Sequence, residues 1–220
     1  MKKSKKFFII GIIFLILFAI YTVAVKKADV SAIGPNNSEV GFSKINLNFH
    51  NTFKYDETWY KITKYAGFFP FVFVAFYGFT GLMQLIKEKS LKKVDKKLIL
   101  LGGLYCTVVI IYVFFEKFII NYRPIIMDGE LEASYPSSHT LMAIAICMSA
   151  IMINKYIIKE KSSRMLFDIF ATMLMLVIVI GRMISGVHWI SDIFGSILIS
   201  IGLLSFFKAL LIKLENNGGV

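Results

Sequence analysis

The sequence has 220 residues with a formal net charge of +11 at pH 7, and 57% of the residues are hydrophobic whereas 18% are charged. Such a composition excludes an ordinary water-soluble domain and favours a protein that is solvated largely by lipid. The positive charge does not indicate nucleic-acid binding, because the lysines and arginines cluster in short segments between alternate apolar runs and do not spread as a groove.

Six apolar runs are long enough, or nearly so, to cross a bilayer as helices. In chain order they cover residues 7–25, 67–86, 98–115, 140–154, 165–181 and 190–212. The fourth run is short and gains length from the apolar residues 156–158. The sequence therefore predicts an all-α, polytopic membrane protein in which residues 1–220 form a single domain.

The first run follows a lysine-rich start and invites comparison with a cleaved secretory signal. A cleaved signal has an apolar region of roughly 7–15 residues and a small-x-small cleavage site. The run 7–25 is longer and is followed by Lys26 and Lys27. We therefore expect an uncleaved first helix.

The basic segments set the expected orientation in the plasma membrane, because positive short loops remain in the cytoplasm. Lysines and arginines are concentrated in three segments, residues 1–6, 87–97 and 155–164. Both termini are then expected in the cytoplasm. Three segments are left to face outward, residues 26–66, 116–139 and 182–189.

The first outer segment is the only long one. Residues 32–38 are typical of turn and coil. Near its end, helical spacing places on one face the residues Tyr55, Trp59, Ile62 and Tyr65. Two interpretations remain equally good, an amphipathic segment in the membrane interface and an ordinary loop packed on the helix bundle. His50 is expected to be a plain polar residue of this loop.

His188 and Asp192 are four residues apart where the third outer segment enters the last apolar run. A helix that begins there would stack both side chains on one face. A carboxylate that accepts a hydrogen bond from one imidazole nitrogen makes the other nitrogen the better nucleophile. Structural alternatives are a first-turn acid favoured by the helix dipole and an interfacial histidine, but the pair together favours catalysis.

Two arginines stand out in the two short outer segments, which otherwise carry little positive charge. Arg182 lies six residues before His188, and Arg123 precedes Pro124, which restricts the local backbone. Either arginine alone is more typical of an interfacial anchor. Together, two guanidinium groups can hold the oxygens of a phosphate and balance its charge in the transition state.

The segment Pro136-Ser137-Ser138-His139 directly precedes the fourth apolar run. Serines in this position are typical helix caps, which explains both hydroxyl groups without a ligand. The free N–H groups of a helix start also bind anions. Capping does not explain His139, which is placed to donate a proton to a leaving oxygen.

These residues resemble the signature of the type 2 phosphatidic acid phosphatase superfamily, which shares its site with vanadium-dependent haloperoxidases and bacterial class A acid phosphatases. That signature has a Lys before Arg-Pro, then Pro-Ser-Gly-His, then Ser-Arg followed after five residues by His and after three more by Asp. Residues 181–192 keep both of the last two spacings. The resemblance covers residues 117–192, about a third of the chain.

The sequence departs from that signature at three positions. Ser138 replaces the glycine before the histidine, and Gly181 replaces the serine before the arginine. The family lysine stands seven residues before its arginine, whereas Lys117 stands six residues before Arg123 and the seventh position is Glu116. We expect Lys117, with its long side chain, to assist phosphate binding, and Glu116 to face solvent or to pair with a lysine.

The resemblance implies a phosphatase whose His188 attacks phosphorus and forms a phosphohistidine, with Asp192 orienting it and His139 protonating the leaving group. It further implies that the phosphate oxygens are held by Lys117, Arg123, Ser137, Ser138 and Arg182. This mechanism uses no cofactor or metal. The outer segments carry only scattered carboxylates for a metal, such as Asp128, Glu130 and Glu132, and no paired acidic cluster.

The expected substrate is a lipid phosphate at the outer membrane–water interface. Three classes remain open, namely polyprenyl diphosphates of the cell-wall carrier cycle, phosphatidylglycerol phosphate and phosphatidic acid. A phosphotransferase that uses the same phosphohistidine is an alternative. A transporter is a more distant one, because the ionisable residues gather at one face and no broken, repeated pair of helices is evident.

Overall fold

The computed structural model of the chain describes residues 2–127 and 129–217, so Asp128 lies outside the described residues. Within these ranges the chain forms eight α-helices and isolated β-bridges but no sheet. The helices are α1 (Lys2–Lys27), α2 (Ser43–Thr52), α3 (Glu57–Ala66), α4 (Phe69–Glu88), α5 (Lys96–Lys117), α6 (Ser138–Ile157), α7 (Lys161–Ile184) and α8 (Ile190–Asn217).

Six helical segments of the described chain are long and apolar enough to cross a membrane, with α3 and α4 counted together as one. Each predicted apolar run overlaps one of them, so the all-α, six-span architecture is confirmed. The helices extend beyond the runs at most ends. Backbone hydrogen bonding continues into the charged residues, and a cap or break ends a helix later than hydropathy does.

The central helix of the bundle is α6, which packs against α4, α5, α7 and α8. Its core face is lined with small residues that let the neighbouring helices approach, namely Ala143, Ala145, Cys147, Ser149 and Ala150. The first helix, α1, packs mainly along the last one, α8. This arrangement brings the start of α6, the end of α7 and the start of α8 together at one end of the bundle.

The first outer segment is more helical than its sequence suggested. Helix α2 was not predicted, and the prediction that His50 is a plain loop residue was wrong. His50 lies in α2 and is half-buried, and its ring centroid is 5.5 Å from that of Trp189. The structure therefore packs α2 beside the segment that carries His188.

Helix α3 combines the two interpretations that its sequence left open. One face packs against α7, where Thr63 is fully buried, while Ile62 and Tyr65 remain exposed. The contact is close, since a Cβ built on Gly181 would lie only 2.3 Å from Cγ2 of Thr63. The backbone N–H of Asp56 also donates to the carbonyl of Ser185 at 3.0 Å, which ties the start of α3 to the end of α7.

Residues 118–127 and 129–137, between α5 and α6, form two irregular arms that run side by side in opposite directions. The bridge between Tyr122 and Ala133 and the bond from Ser134 N to Asn121 O at 3.0 Å hold the two arms together. Tyr135 is buried against α8, where a Cβ on Gly195 would lie 2.5 Å from its ring. The connection therefore lies across the end of the bundle where α6, α7 and α8 meet.

Candidate active site

The predicted pair His188 and Asp192 comes together through a third residue, Ser134. Nδ1 of His188 is 3.6 Å from Oδ2 of Asp192, which is too long for a hydrogen bond. The hydroxyl of Ser134 donates to Oδ2 of Asp192 at 2.5 Å and lies 3.1 Å from Nδ1 of His188. In this chain of bonds Nδ1 carries the proton and donates to Ser134, so the lone pair of His188 is on Nε2.

Asp192 is fully buried and its carboxylate is surrounded by donors. Besides Ser134, the donors are Nδ2 of Asn121 at 3.2 Å, the backbone N–H of Trp189 at 3.0 Å and the hydroxyl of Ser191 at 3.4 Å. These bonds replace the water that the carboxylate loses on burial. The carboxylate is thus held in one orientation toward His188.

A second tie to this carboxylate comes from α2. Nδ2 of Asn46 donates to Oγ of Ser191 at 3.0 Å, and the backbone N–H of Ser191 donates to Oδ1 of Asn46 at 3.1 Å. Asn46 is fully buried. The first outer segment therefore supports the His188–Asp192 pair from a position 145 residues away in the sequence.

Sequence reasoning missed these supporting residues. Ser134 offered a signal, since it stands two residues before Pro136 of a motif that had already been singled out. Asn121 lies close to Arg123, but nothing in its surroundings marks it. Asn46 offered none, because a buried asparagine in a helix is indistinguishable in sequence from an exposed one.

Arg182 is the most unusual group of the site. It is 1% exposed, and none of its three guanidinium nitrogens has a hydrogen-bond partner among the described residues. Its Cζ is 5.3 Å from the centroid of the Tyr60 ring, a cation–π contact that compensates only part of the lost hydration. The guanidinium is therefore free to take an anionic ligand.

The structure brings Arg123 into the same cluster. Its side chain is 12% exposed and its Nε is 3.1 Å from Oε2 of Glu132, which is 42% exposed. Burial, with help from the positive charges of Arg123 and Arg182, holds the pKa of His188 well below its usual value. His188 is thus neutral at neutral pH, as a nucleophile must be, and its Nε2 is buried with no partner among the described residues.

His139 is in the first turn of α6 and faces the same cluster. Its Nδ1 is buried and has no partner in the described part of the chain, and the charges of Arg182, His188 and Arg123 act on it. A Cβ built on Gly67 would lie 2.9 Å from Cδ2 of His139, so the end of α3 covers one edge of the ring. Two imidazoles and two guanidinium groups thus converge at the start of α6.

The two serines of the second motif have different surroundings. Ser137 is fully buried and is the N-cap of α6, with its hydroxyl bonded to Oγ1 and N of Thr140, as the capping interpretation predicts. Ser138 is half-buried and borders a small cavity that reaches His188. Ser138 is the first residue of the α6 helix, so the serine at the family's glycine position is not strained.

Lys117 has no contact with the cluster among the described residues, so its role in phosphate binding stays a prediction. Lys117 ends α5, is exposed and forms no hydrogen bond or ion pair with the described residues. Glu116 is exposed, as expected, and it also lines the cavity that reaches His188. The one-residue difference in register therefore matters, because consecutive helical residues point about 100° apart.

The cluster itself is rich in cations and imidazoles and not in the carboxylates that hard metal ions prefer. Within residues 2–127 and 129–217, no three side chains of His, Cys, Asp or Glu converge as a metal site would require. The buried guanidinium of Arg182 and the half-buried one of Arg123, beside a bare imidazole nitrogen, can form instead a cradle for a tetrahedral oxyanion.

Comparison with known proteins agrees with this geometry. A family model described as the PAP2 superfamily matches residues 71–214, more than half of the chain. Among solved structures, the chain is similar to the crystal structure of a transmembrane PAP2-type phosphatidylglycerolphosphate phosphatase from Bacillus subtilis, with a TM-score of 0.63 and 16% sequence identity. The match covers 94% of this chain and 96% of that one, and it shows a shared fold. No curated protein sequence matches the chain.

Proposed function

The chain belongs to the PAP2 superfamily and is a multi-pass membrane phosphatase, and from this premise we propose that it removes phosphate from lipid phosphates or diphosphates through a phosphohistidine at His188. The candidate substrates are polyprenyl diphosphates, phosphatidylglycerol phosphate and phosphatidic acid. The Bacillus subtilis protein of similar fold is named for the second of these.

One observation carries the proposal. Among the described residues Arg182 is buried without a counter-ion, and Nε2 of His188, which has no partner there either, belongs to the same cluster. Burying a charged group without partners costs several kcal/mol, so such a group persists where a ligand supplies the partners. A phosphate offers oxygens for the guanidinium and an electrophilic phosphorus for the imidazole.

The mechanism requires a neutral His188 and a protonated His139, and the negative charge of a bound phosphate favours the protonated form of His139. The lone pair on Nε2 of His188 attacks phosphorus, and the bond from phosphorus to the leaving oxygen breaks as His139 gives that oxygen a proton. Neutral His139 then takes a proton from water, which attacks the phosphohistidine and releases inorganic phosphate. Arg123, Arg182 and the first N–H groups of α6 hold the non-bridging oxygens and balance the charge, so the mechanism uses no metal.

The proposed location is the plasma membrane, with both termini in the cytoplasm and the site on the extracytoplasmic side. The antiparallel course of the spans supports this, because the basic segments 87–97 and 155–164 lie at the bundle end opposite to His188. Positive segments remain in the cytoplasm. A cysteine introduced at Glu130 is expected to react with a membrane-impermeant thiol reagent in intact cells, and one at Ser90 is not.

The function is tested by measuring phosphate release from a panel of lipid phosphates and diphosphates by the purified protein in the presence of EDTA. We expect release from at least one lipid, and acid-labile phosphate on nitrogen when the reaction is quenched with acid. Release that stops in EDTA would disprove the metal-free mechanism. Transfer of phosphate to an acceptor in place of free phosphate would reassign the protein as a phosphotransferase.

A further inference from the structure

Helix α3 brings a third cation, Lys64, to the corner of the site where His139 lies. Arg182 and Lys64 share one aromatic ring, since Cζ of Arg182 is 5.3 Å and Nζ of Lys64 is 5.6 Å from the centroid of Tyr60. The charge of Lys64 acts on His139, and the end of α3 touches the histidine ring at Gly67. The side chain of Lys64 is exposed, so Lys64 lies at the solvent-facing edge of the corner that holds His139. The phosphatase signature does not include this lysine.

Lys64 differs from its neighbour Lys61 in having no carboxylate partner. Nζ of Lys61 pairs with Oε1 of Glu57 at 2.8 Å, whereas Lys64 forms no ion pair with any residue that the structure describes. Both lysines line a cavity of about 400 Å³ between α3 and residues 125–127. Tyr60 lines the same cavity, so its ring connects this space with the guanidinium of Arg182.

The position of α3 depends on the glycine that replaces the family's serine. A Cβ on Gly181 would lie 2.3 Å from Cγ2 of Thr63 and 3.2 Å from Cε3 of Trp59. A serine there would push α3 away from α7 by a few tenths of an ångström or more. The departure from the signature at Gly181 and the approach of Lys64 to the site are thus parts of one arrangement.

The proposed mechanism indicates on which side of the scissile bond Lys64 lies. His139 gives its proton to the leaving oxygen, so a cation beside His139 lies on the side of the leaving group. When a diphosphate is cleaved at its terminal phosphorus, the bridging oxygen leaves with the bonding electron pair on a lipid monophosphate. The negative charge on that phosphate rises in the transition state, where a nearby cation stabilises it.

We propose that Lys64, together with Tyr60, forms a subsite for a second phosphate group on the leaving side of the scissile bond. This inference rests on the proposed function and narrows it to lipids whose leaving group is itself a phosphate ester. A lipid monophosphate leaves a neutral alcohol, which gains nothing from the cation. The chain therefore favours diphosphates over monophosphates of the same lipid.

The test compares two substrates that differ only in the leaving group, a C15 prenyl diphosphate and the C15 prenyl monophosphate. Lys64→Gln is expected to lower kcat/KM for the diphosphate by about tenfold or more, as the loss of one charge-assisted contact does. For the monophosphate, both Lys64→Gln and the matched control Lys61→Gln are expected to stay within about twofold of the unmodified protein. Lys64→Arg should retain the preference.

A binding measurement separates this subsite from turnover. In His188→Ala protein, the added Lys64→Gln change is expected to weaken binding of a prenyl methylenediphosphonate and to leave binding of the prenyl monophosphonate unchanged. Equal loss with both substrates, or an unchanged affinity for the diphosphonate, would overturn the subsite. If the unmodified protein released no phosphate from any lipid, the proposed function would fail, and the binding measurement would still decide the subsite.

Discussion

The two ends of the helix bundle differ in whether their buried polar side chains have hydrogen-bond partners. At the end away from the site, Asn154 donates to Oδ1 of Asp168 at 2.5 Å and accepts a hydrogen bond from Tyr77. Near them, at the surface, Lys155 pairs with Glu215 at 2.7 Å. At the site end, Asp192 is equally well satisfied, but the three nitrogens of Arg182 have no partner among the described residues.

Polar groups with partners stabilise the bundle, whereas the unpaired groups are those that we propose bind the phosphate. A satisfied buried network contributes to stability, whereas an unpaired buried charge lowers it. Proteins tolerate such a loss where function requires the unpaired group. Substitutions at the two ends should therefore change rate and stability in different combinations.

The largest expected effect is that of His188→Ala, because no other described residue presents a bare imidazole nitrogen beside a buried carboxylate. Turnover should fall by a factor on the order of 10⁴ or more. The fold should remain intact, but the unfolding temperature in detergent should fall, because the variant loses the bond from Nδ1 to Ser134 and leaves a cavity in place of a buried ring. Near-normal phosphate release by this variant would rule out the phosphohistidine.

Arg182→Met should lower kcat/KM by roughly 10²–10³-fold, as removal of a preorganised oxyanion donor does, yet raise the unfolding temperature. Arg123→Ala should cause a similar loss of rate, and lysine at either position should restore little, because a point charge does not reproduce the planar fork. A drop in the unfolding temperature of Arg182→Met would mean that Arg182 is a structural residue.

Arg182→Met should also alter the dependence of the rate on pH. Arg182 helps to lower the pKa of His188, so its removal raises that pKa toward the ordinary value. Since only neutral His188 attacks phosphorus, the residual activity should be lost at a higher pH on the acid side than in the unmodified protein. A profile of rate against pH checks this shift, and no movement of the acid limb would contradict the assigned charge contact.

Ser134→Ala should lower kcat by about tenfold, because it breaks the bonded link between His188 and Asp192 without removing either group. KM should change little, since Ser134 does not belong to the cation cradle. Ser134→Thr, which keeps the hydroxyl, should recover part of the rate. An equal loss in both variants would indicate a packing effect and not a hydrogen-bonded one.

At the opposite end, Asn154→Ala should leave kcat/KM within about twofold and destabilise the protein by about 1–3 kcal/mol, since it leaves Asp168 and Tyr77 without their partner. Thermal unfolding of Asn154→Ala and Arg182→Met in one detergent provides the direct contrast. Opposite signs are expected for the two shifts, and equal signs would remove the distinction between the two ends.

The smallest effect is expected from Lys117→Ala, with kcat/KM within about threefold of the unmodified protein, because Lys117 is exposed and unpaired. Glu116→Gln should change the rate more, since Glu116 borders the cavity beside His188. A large loss in Lys117→Ala alone would show that the lysine reaches the substrate when it binds.

The spans and the motif histidines could be predicted because their signals are local. Apolar runs indicate membrane-spanning helices. The four-residue spacing of His188 and Asp192 predicts that their side chains lie close together, and they do, with the hydroxyl of Ser134 between them. Asn46, Lys64 and Tyr60 could not be found in this way. Their roles arise from the packing of α2 and α3 on the ends of α7 and α8, which no short-range pattern encodes.

The register of the first motif shows a second limit of prediction from sequence. Lys117 lies one residue from the family position, and side-chain length alone suggested that it would still reach the phosphate. Helix α5 remains regular to Lys117, and its geometry directs Glu116 toward the cavity instead. Counting residues along a motif therefore predicts a contact only where the backbone between them keeps the same form.

The packing of α1 along α8 has a consequence for biosynthesis. During translation α1 enters the bilayer long before α8, its principal packing partner, is synthesised. Until then the face of α1 that packs on α8 is exposed to lipid. The nascent chain also lacks His188 and Asp192 until that moment, since both precede or begin α8. Completion of the phosphatase thus coincides with closure of the bundle, and a ribosome-bound chain that still lacks α8 is expected to be inactive.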